Sequence, residues 1–348
     1  MKFFGKIIPV LFILGLALSC EEGLYTVFDN VVNDDPIDDN SLSNEISVTA
    51  MTEYGTDYYI ATGKLRRRQI SGGGWSSVSI GTSGFVNSVA ANGSAVYASI
   101  VKNDGTGLLW NATSPPGSAV GTLPAGLKNV LKVKNIGGQI LISIQMNDGS
   151  FTLYNVSTSS SIATGLTAPI TDFTNGNHYV AGDSVYQNGS SITPDSVIYG
   201  THMYLSIYYD SDNHRYYLGT TDGKVFQSDD DTPTTTEWKM TLATYRYYSN
   251  GRRTSVRFCS FENLDATTIA VGTQGYGFYT FDSSVPFDDV NNPDPLVHFP
   301  DSAKRELYEG AIPDIHVNGA TVFFCTMNSG LWRNEWDGSG WGSTWTRE

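Results

Sequence analysis

Charge is scarce in this chain. Only 16% of its 348 residues are charged, against about a quarter in an ordinary soluble domain, so solubility rests on Ser, Thr, Asn and Gly, as in many extracytoplasmic β-proteins. Basic residues are scarcest, 21 against 35 acids, and a formal charge of −14 repels phosphate backbones, which sets nucleic acid aside as a partner. No Gly-rich phosphate loop opens a helix, so nucleotide binding by that route is excluded. The five histidines show neither zinc spacing nor a His-Glu-x-x-His run, and no metal or cofactor is expected. Long apolar runs are lacking too: the longest, Ile7 to Leu18, falls short of the roughly 20 residues a membrane-crossing helix needs.

That run is instead part of an address. Residues 1–19 combine a positive start (Lys2, Lys6), an apolar centre and small residues before Cys20, the plan of a secretory signal. Leu16-Ala17-Leu18-Ser19-Cys20 resembles the lipobox of bacterial lipoproteins, matching at Ser19 and Cys20 while Ala17 and Leu18 stand in the reverse of the commonest order. The resemblance implies cleavage before Cys20, acylation of its sulfur, and membrane attachment in a bacterial cell envelope. Two or three acyl chains anchor stably at about 0.8 kcal/mol per buried methylene. Cleavage would remove Lys2 and Lys6 and no acid, leaving 329 residues with a net charge of −16, so attachment would rest on lipid and not on a polybasic patch. Residues 20–45, with Glu21, Glu22, Asp29, Asp34, Asp35, Asp38 and Asp39, read as an acidic tether, in which Leu24 to Phe28 is a short apolar piece able to dock as an edge strand.

From residue 46 to 348 one unit recurs: an alternating strand, a turn, a second apolar strand ending in a small residue or Thr, a Gly turn, and a third strand with Leu, Phe or Trp. The first copy runs Ile46 to Ala50, Tyr58 to Gly63, Lys64 to Arg67 and Trp75 to Val78. Later copies turn at Asn92-Gly93, Gly137-Gly138, Asn175-Gly176, Asp222-Gly223 and Asn318-Gly319. Asn-Gly and Asp-Gly between alternating runs are strong hairpin signals. Seven units in this span average about 43 residues, the length of a four-stranded propeller blade. The predicted fold is therefore an all-β propeller of seven four-stranded blades, with six or eight as the alternatives if the compressed fourth unit (170–193) is miscounted. One helix is expected, Ser302 to Glu309.

The sequence Ala61-Thr62-Gly63, echoed by Gly219-Thr220, Gly272-Thr273 and Cys325-Thr326, resembles the small-residue, Thr, Gly pattern of propeller repeats in several bacterial lipoproteins, over nearly all of 46–348. The Gly-His and Trp-Asp marks of WD40 blades and the double glycines of kelch blades are missing. Ser228 to Thr232 followed by Trp238 looks like a degenerate Asp-box of sialidase-like propellers, which would be structural.

Two long insertions interrupt the period, 244–254 and 291–310, and long loops on a rigid scaffold are where binding residues gather. The first holds Tyr245, Arg246, Tyr247, Tyr248, Arg252 and Arg253, flat rings and forked donors suited to a carboxylate-bearing protein or glycan partner. The competing reading has the arginines neutralising nearby aspartates and the tyrosines covering a blade junction. A sialidase-like or other glycan-active enzyme is the catalytic alternative. It would need arginines from several blades and two placed carboxylates, whereas the arginines cluster at 66–68 and 246–257 and Glu237, Glu262 and Glu306 form no recognisable constellation. No catalytic residue is assigned. Asp210-Ser211-Asp212-Asn213 lacks the glycine and distal Glu of a calcium loop and reads as a turn. Cys259 and Cys325 read as two buried free thiols.

Overall fold

Each repeat folds as a four-stranded antiparallel meander, and seven of them follow one another along the chain in the computed structural model, which describes residues 47–228, 231–249, 252–299 and 310–348 together with Leu42, Glu45 and Leu307. The blades are β1–β4 (50–77), β5–β8 (85–119), β9–β12 (127–166), β13–β16 (170–191), β17–β20 (204–240), β23–β26 (258–298) and β27–β30 (314–347). The compressed fourth unit is a complete blade, which settles the count at seven. The hairpin β21 (Arg246–Ser249) and β22 (Arg252–Ser255) is inserted between blades 5 and 6. The signal peptide, Cys20 and nearly all of the tether lie outside the described residues, as does the expected helix at 302–309 apart from Leu307.

The first strands, β1 (Ala50–Tyr54), β5 (Phe85–Ala91), β9 (Leu127–Ile136), β13 (Ile170–Thr174), β17 (Tyr204–Asp210), β23 (Phe258–Asn263) and β27 (Asp314–Asn318), surround a central channel. They begin at one face of the ring, here the entry face, and end at the other, the exit face. The apolar core is correspondingly divided into seven clusters, one per blade junction. The cluster between blades 3 and 4, around Leu141, Leu153, Ile170, Phe173, Tyr179 and Ala181, has the fewest fully buried side chains and is completed by half-buried ones.

The small-residue signature has a steric cause. Gly219 pairs with Ser206 and Gly272 with Ser260, and a Cβ at either would lie 2.5 Å from a carbonyl of the next blade, Phe258 O or Ile312 O. Ser206 and Ser260 donate to those same carbonyls at 3.0 and 2.7 Å, so one position both admits and binds the neighbouring first strand. The threonine that follows closes the next turn: Thr220, Thr273 and Thr326 Oγ1 donate to the carbonyls of Lys224, Gly277 and Gly330 at 2.7–2.8 Å.

Among the described residues, no sheet is shared between blade 7 and blade 1. Blade 7 meets blade 1 through Asp314 Oδ2, which accepts from Met51 N at 2.8 Å, through Val48 N donating to Thr326 O at 2.7 Å, and through His316 Nε2 against Glu53 Oε1 at 2.8 Å. Arg68 pairs with Glu348, and Cys325 is buried in this junction.

Candidate binding surfaces

The inserted hairpin stands on the entry face, and strand alternation divides its aromatic and basic residues into two groups. Tyr245 precedes β21 and is buried against Phe258 and Tyr279; its hydroxyl accepts from Leu296 N at 3.0 Å. It belongs to the junction of blades 5 and 6, and this corrects its placement among the surface residues. Burial, with Asp294 nearby, raises its phenol above the ordinary value. Tyr247 is half-buried and stacks on Tyr276, which stacks on His298, with ring centroids 4.7 and 4.6 Å apart. These two tyrosines cover a junction, as the competing reading held.

The other residues do not. Tyr248 pairs across the hairpin with Arg253, so the two share a face, and Tyr248 is 78% exposed. Arg246 stands on that face two residues before Tyr248, and Arg252 on the other; both are exposed. Arg246, Arg252, Arg253 and the exposed Arg257 have no carboxylate partner among the described residues, so here the neutralising reading fails. The chain leading into the hairpin is clamped by Lys224, whose Nζ donates to the carbonyls of Thr241, Leu242 and Ala243 at 2.7–2.9 Å.

In the connection between blades 4 and 5, residues 196–199 form one helical turn, capped by Asp195 Oδ1 accepting from Val197 N at 2.8 Å. It exposes Val197 and Ile198 and is pinned by His202, whose two ring nitrogens meet Asp222 Oδ2 at 2.8 Å and Tyr199 O at 2.9 Å. The Asp222 hydrogen bond raises the His202 pKa. Phe85, Met203, Leu242 and Met327 are also exposed on the entry face, at strand starts and turns. The exit-face turns carry Asp212, Asp231, Asp265, Asp282, Asp288, Asp289 and Asp337, and the entry-face turns and connections carry Asp104, Asp148, Asp183, Asp195 and Asp222, so acid is spread over both faces while the exposed hairpin arginines stand on the entry face. The Asp210 stretch is the turn between β17 and the strand that follows: Asp210 Oδ1 accepts from Asp212 N at 3.0 Å.

The channel is the second candidate. Bulges put one extra residue into five first strands, at Asn87, Leu131, Thr171, Leu205 and Cys259. Leu131, Lys132, Cys259 and Pro313 line both of the cavities found in the channel, so they form a waist between a chamber of about 340 Å³ toward the entry face and one of about 430 Å³ toward the exit face. Burial lifts the Cys259 thiol to about 12, and its Sγ donates to Ile312 O at 3.2 Å, so it is an inert waist residue.

Charges in the larger chamber come from different blades. Asp172 is buried; its Oδ1 accepts from Lys132 Nζ (2.7 Å) and Lys134 Nζ (3.1 Å), and its Oδ2 from Ile207 N (3.1 Å). Burial alone would lift this carboxyl, but the two ammoniums hold it below the ordinary carboxylate value. Glu262 and Asp314 line the chamber from blades 6 and 7, and burial raises both, Glu262 to about 7. None of these chamber groups except Glu262 was singled out from sequence, because each blade contributes one or two and no local motif marks them. Aligning the repeats on the small residue of the second strand picks out two of them, Lys132 and Asp314, since the partner position in the first strand reads Ser88, Lys132, Ser206, Ser260 and Asp314.

No protein-family model matches the chain, and no curated protein matches its sequence. Solved structures share its fold. YCF48 bound to D1 peptide is 13% identical, over 84% of this chain and 94% of that one, with a TM-score of 0.53. YCF48 from Cyanidioschyzon merolae is 10% identical over 82% and 95%, with a TM-score of 0.56, and the RRP9 WD40 repeats are 13% identical over 81% and 88%, with a TM-score of 0.55. At such identities the likeness concerns architecture, and it agrees with the seven-bladed ring.

Proposed function

We propose that this chain is an exported, lipid-anchored β-propeller that acts as a binding module, and that it takes a protein partner on its entry face. The carrying observation is the β21–β22 hairpin, whose Tyr248 and Arg253 share an exposed face on which the arginine has no acidic partner among the described residues. Exposed aromatic and arginine side chains are what interface centres are enriched in, and a fork of unpaired guanidinium donors favours a carboxylate-bearing segment. A propeller of the same fold is described bound to a peptide, YCF48 with D1 peptide, which makes peptide recognition compatible with the scaffold. The anchor rests on the Ser19-Cys20 lipobox likeness and the preceding apolar run.

Glu45 sits at the entry face, paired with Arg66, so the tether would leave from the same side as the hairpin. Leu42 is buried in the junction of blades 7 and 1, so the 22 residues from Cys20 to Ser41 would reach at most about 75 Å if extended and average about 26 Å as a coil. A partner bound at the hairpin would then lie between the propeller and the membrane.

A photo-crosslinking residue at position 248, compared with one at Asp337 on the exit face, tests the surface in native envelopes. Capture of a defined partner from 248 but not from 337, lost in a Tyr248→Ala/Arg253→Ala form carrying the crosslinker at 246, is expected. Equal capture from both faces would refute the entry-face reading. A carboxylated glycan as the ligand would appear as array binding without protein capture. The anchor is tested separately: Cys20→Ala should abolish palmitate labelling and release the chain from the membrane fraction.

A further inference from the structure

The larger channel chamber separates charge across its width. On the blade 3 side are the ammoniums of Lys132 and Lys134, each about 30% exposed toward the chamber and sharing the single carboxylate of Asp172, so this wall keeps a net positive charge. Lys132 gives one hydrogen bond, to Asp172, and retains donors for a ligand. On the side of blades 6 and 7 are Glu262 and Asp314. Asp314 spends one oxygen on Met51 N, while the Glu262 carboxyl takes no hydrogen bond among the described residues. Tyr208 of blade 5 places a half-buried ring in the same wall. His316 of β27 is already engaged by Glu53 of β1.

Glu262 is half-buried and lines the chamber with no donor on its carboxylate among the described residues, so it is open to a cation entering the channel. We infer that the chamber is a binding site for a small zwitterion, an amino acid or dipeptide, with its ammonium on Glu262 and Asp314 beside the Tyr208 ring and its carboxylate on Lys132 and Lys134. The volume, about 430 Å³, lies in the range of small-molecule pockets. The opposite placement of the two charge types selects against simple amines, which leave the lysines unanswered, and against simple acids, which leave Glu262 unanswered. This site is separate from the hairpin surface, and either can fail without the other.

Because burial holds the Glu262 carboxyl near 7, it is mostly neutral at pH 6 and mostly ionised at pH 8, so ammonium binding should strengthen about tenfold between them. The groups facing it that also carry charge are Lys134 of β9, Asp314 and His316 of β27 and, through His316, Glu53.

The test is calorimetric titration of the full chain in detergent with the twenty amino acids and a set of glycyl dipeptides, with n-butylamine and butyrate as single-charge controls, at pH 6 and pH 8. Saturable binding of at least one zwitterion is expected, at least tenfold tighter than either control and tighter at pH 8. Glu262→Gln should weaken it ten- to a hundredfold and abolish the pH dependence, His316→Gln should retain that dependence, and Lys134→Met should weaken binding at both pH values. The proposal is overturned if no zwitterion saturates, if the controls bind as tightly, or if Glu262→Gln keeps the affinity and pH slope of the unmodified chain. Circular dichroism of each variant separates lost binding from lost fold, and the ligand panel on the unmodified chain decides the matter even if a variant does not fold.

Discussion

Removing the Asp172 carboxylate should loosen the ring at the junction with the fewest fully buried apolar side chains. Asp172 is 4% exposed and joins three blades: Lys132 and Lys134 from blade 3, its own blade 4, and Ile207 N from blade 5. Breaking a buried ion pair by deleting one partner costs about 3–5 kcal/mol, but both ammoniums touch channel solvent, which reduces that part to about 2–3 kcal/mol. Leaving Ile207 N–H without an acceptor adds about 1–2 kcal/mol. Asp172→Ala should therefore cost about 3–5 kcal/mol. Asp172→Asn keeps an amide oxygen for Ile207 and should cost about 1–3 kcal/mol. In urea unfolding followed by tryptophan fluorescence this appears as a lower midpoint, and in calorimetry as a Tm loss of about 6–12 °C for the alanine form. The folded carboxyl titrates below its ordinary value of 3.8, so its stabilisation is complete above about pH 4 and is lost as pH falls through the folded value; the gap between the unmodified chain and Asp172→Asn should close in acid. Lys132→Met in the alanine background should recover about 1 kcal/mol by removing an unanswered charge. An alanine variant within about 1 kcal/mol of the unmodified chain, or no recovery from Lys132→Met, would refute this account.

The hairpin should separate by depth. Tyr245→Ala is expected to lose about 3–5 kcal/mol, and Tyr245→Phe about 1 kcal/mol for the acceptor lost to Leu296 N, while Tyr248→Ala with Arg253→Ala should stay within about 0.5 kcal/mol, all measured by urea midpoints. Gly219→Ala forces a Cβ to within 2.5 Å of Phe258 O and should cost about 2–3 kcal/mol in the same assay. Stability should fall as pH rises from about 6 to 8. The Asp222 hydrogen bond raises His202 above 6.5, so its stabilisation is complete below 6.5 and lost as pH climbs through the folded value. Glu262, raised from 4.5 to about 7, adds a loss that accrues as pH rises from about 4.5 and levels off above about 7. Midpoints at pH 5.5 and 8.5 for His202→Gln and Glu262→Gln should each show a smaller drop than the unmodified chain, and an unchanged drop in both would contradict the assignment.

The blades were legible because turn chemistry and alternation agree: Asn318-Gly319, for instance, stands where β27 ends at Asn318 and the next strand begins at Thr321. The hairpin was legible as an insertion, but its inward and outward residues were not. Tyr245 and Tyr248 look alike in sequence, and only the pairing of Tyr248 with Arg253 and the packing of Tyr245 on Phe258 and Tyr279 tell them apart. The channel was least legible, since Lys132, Asp172, Glu262 and Asp314 come from four blades and meet only when the ring closes.

That closure has a mechanical side. Many ring-shaped folds would resist pulling by having one sheet sewn from both ends of the chain; here the first blade is contiguous, Val48 bonds across the seam to Thr326, and Glu45 pairs with Arg66 of blade 1 itself. Tension applied through residue 45 would load that seam before any strand could peel, and the bonds it would stress first include the Met51 to Asp314 link at the wall of the channel. A load on the N-terminal side would thus be felt in the shape of the central chamber.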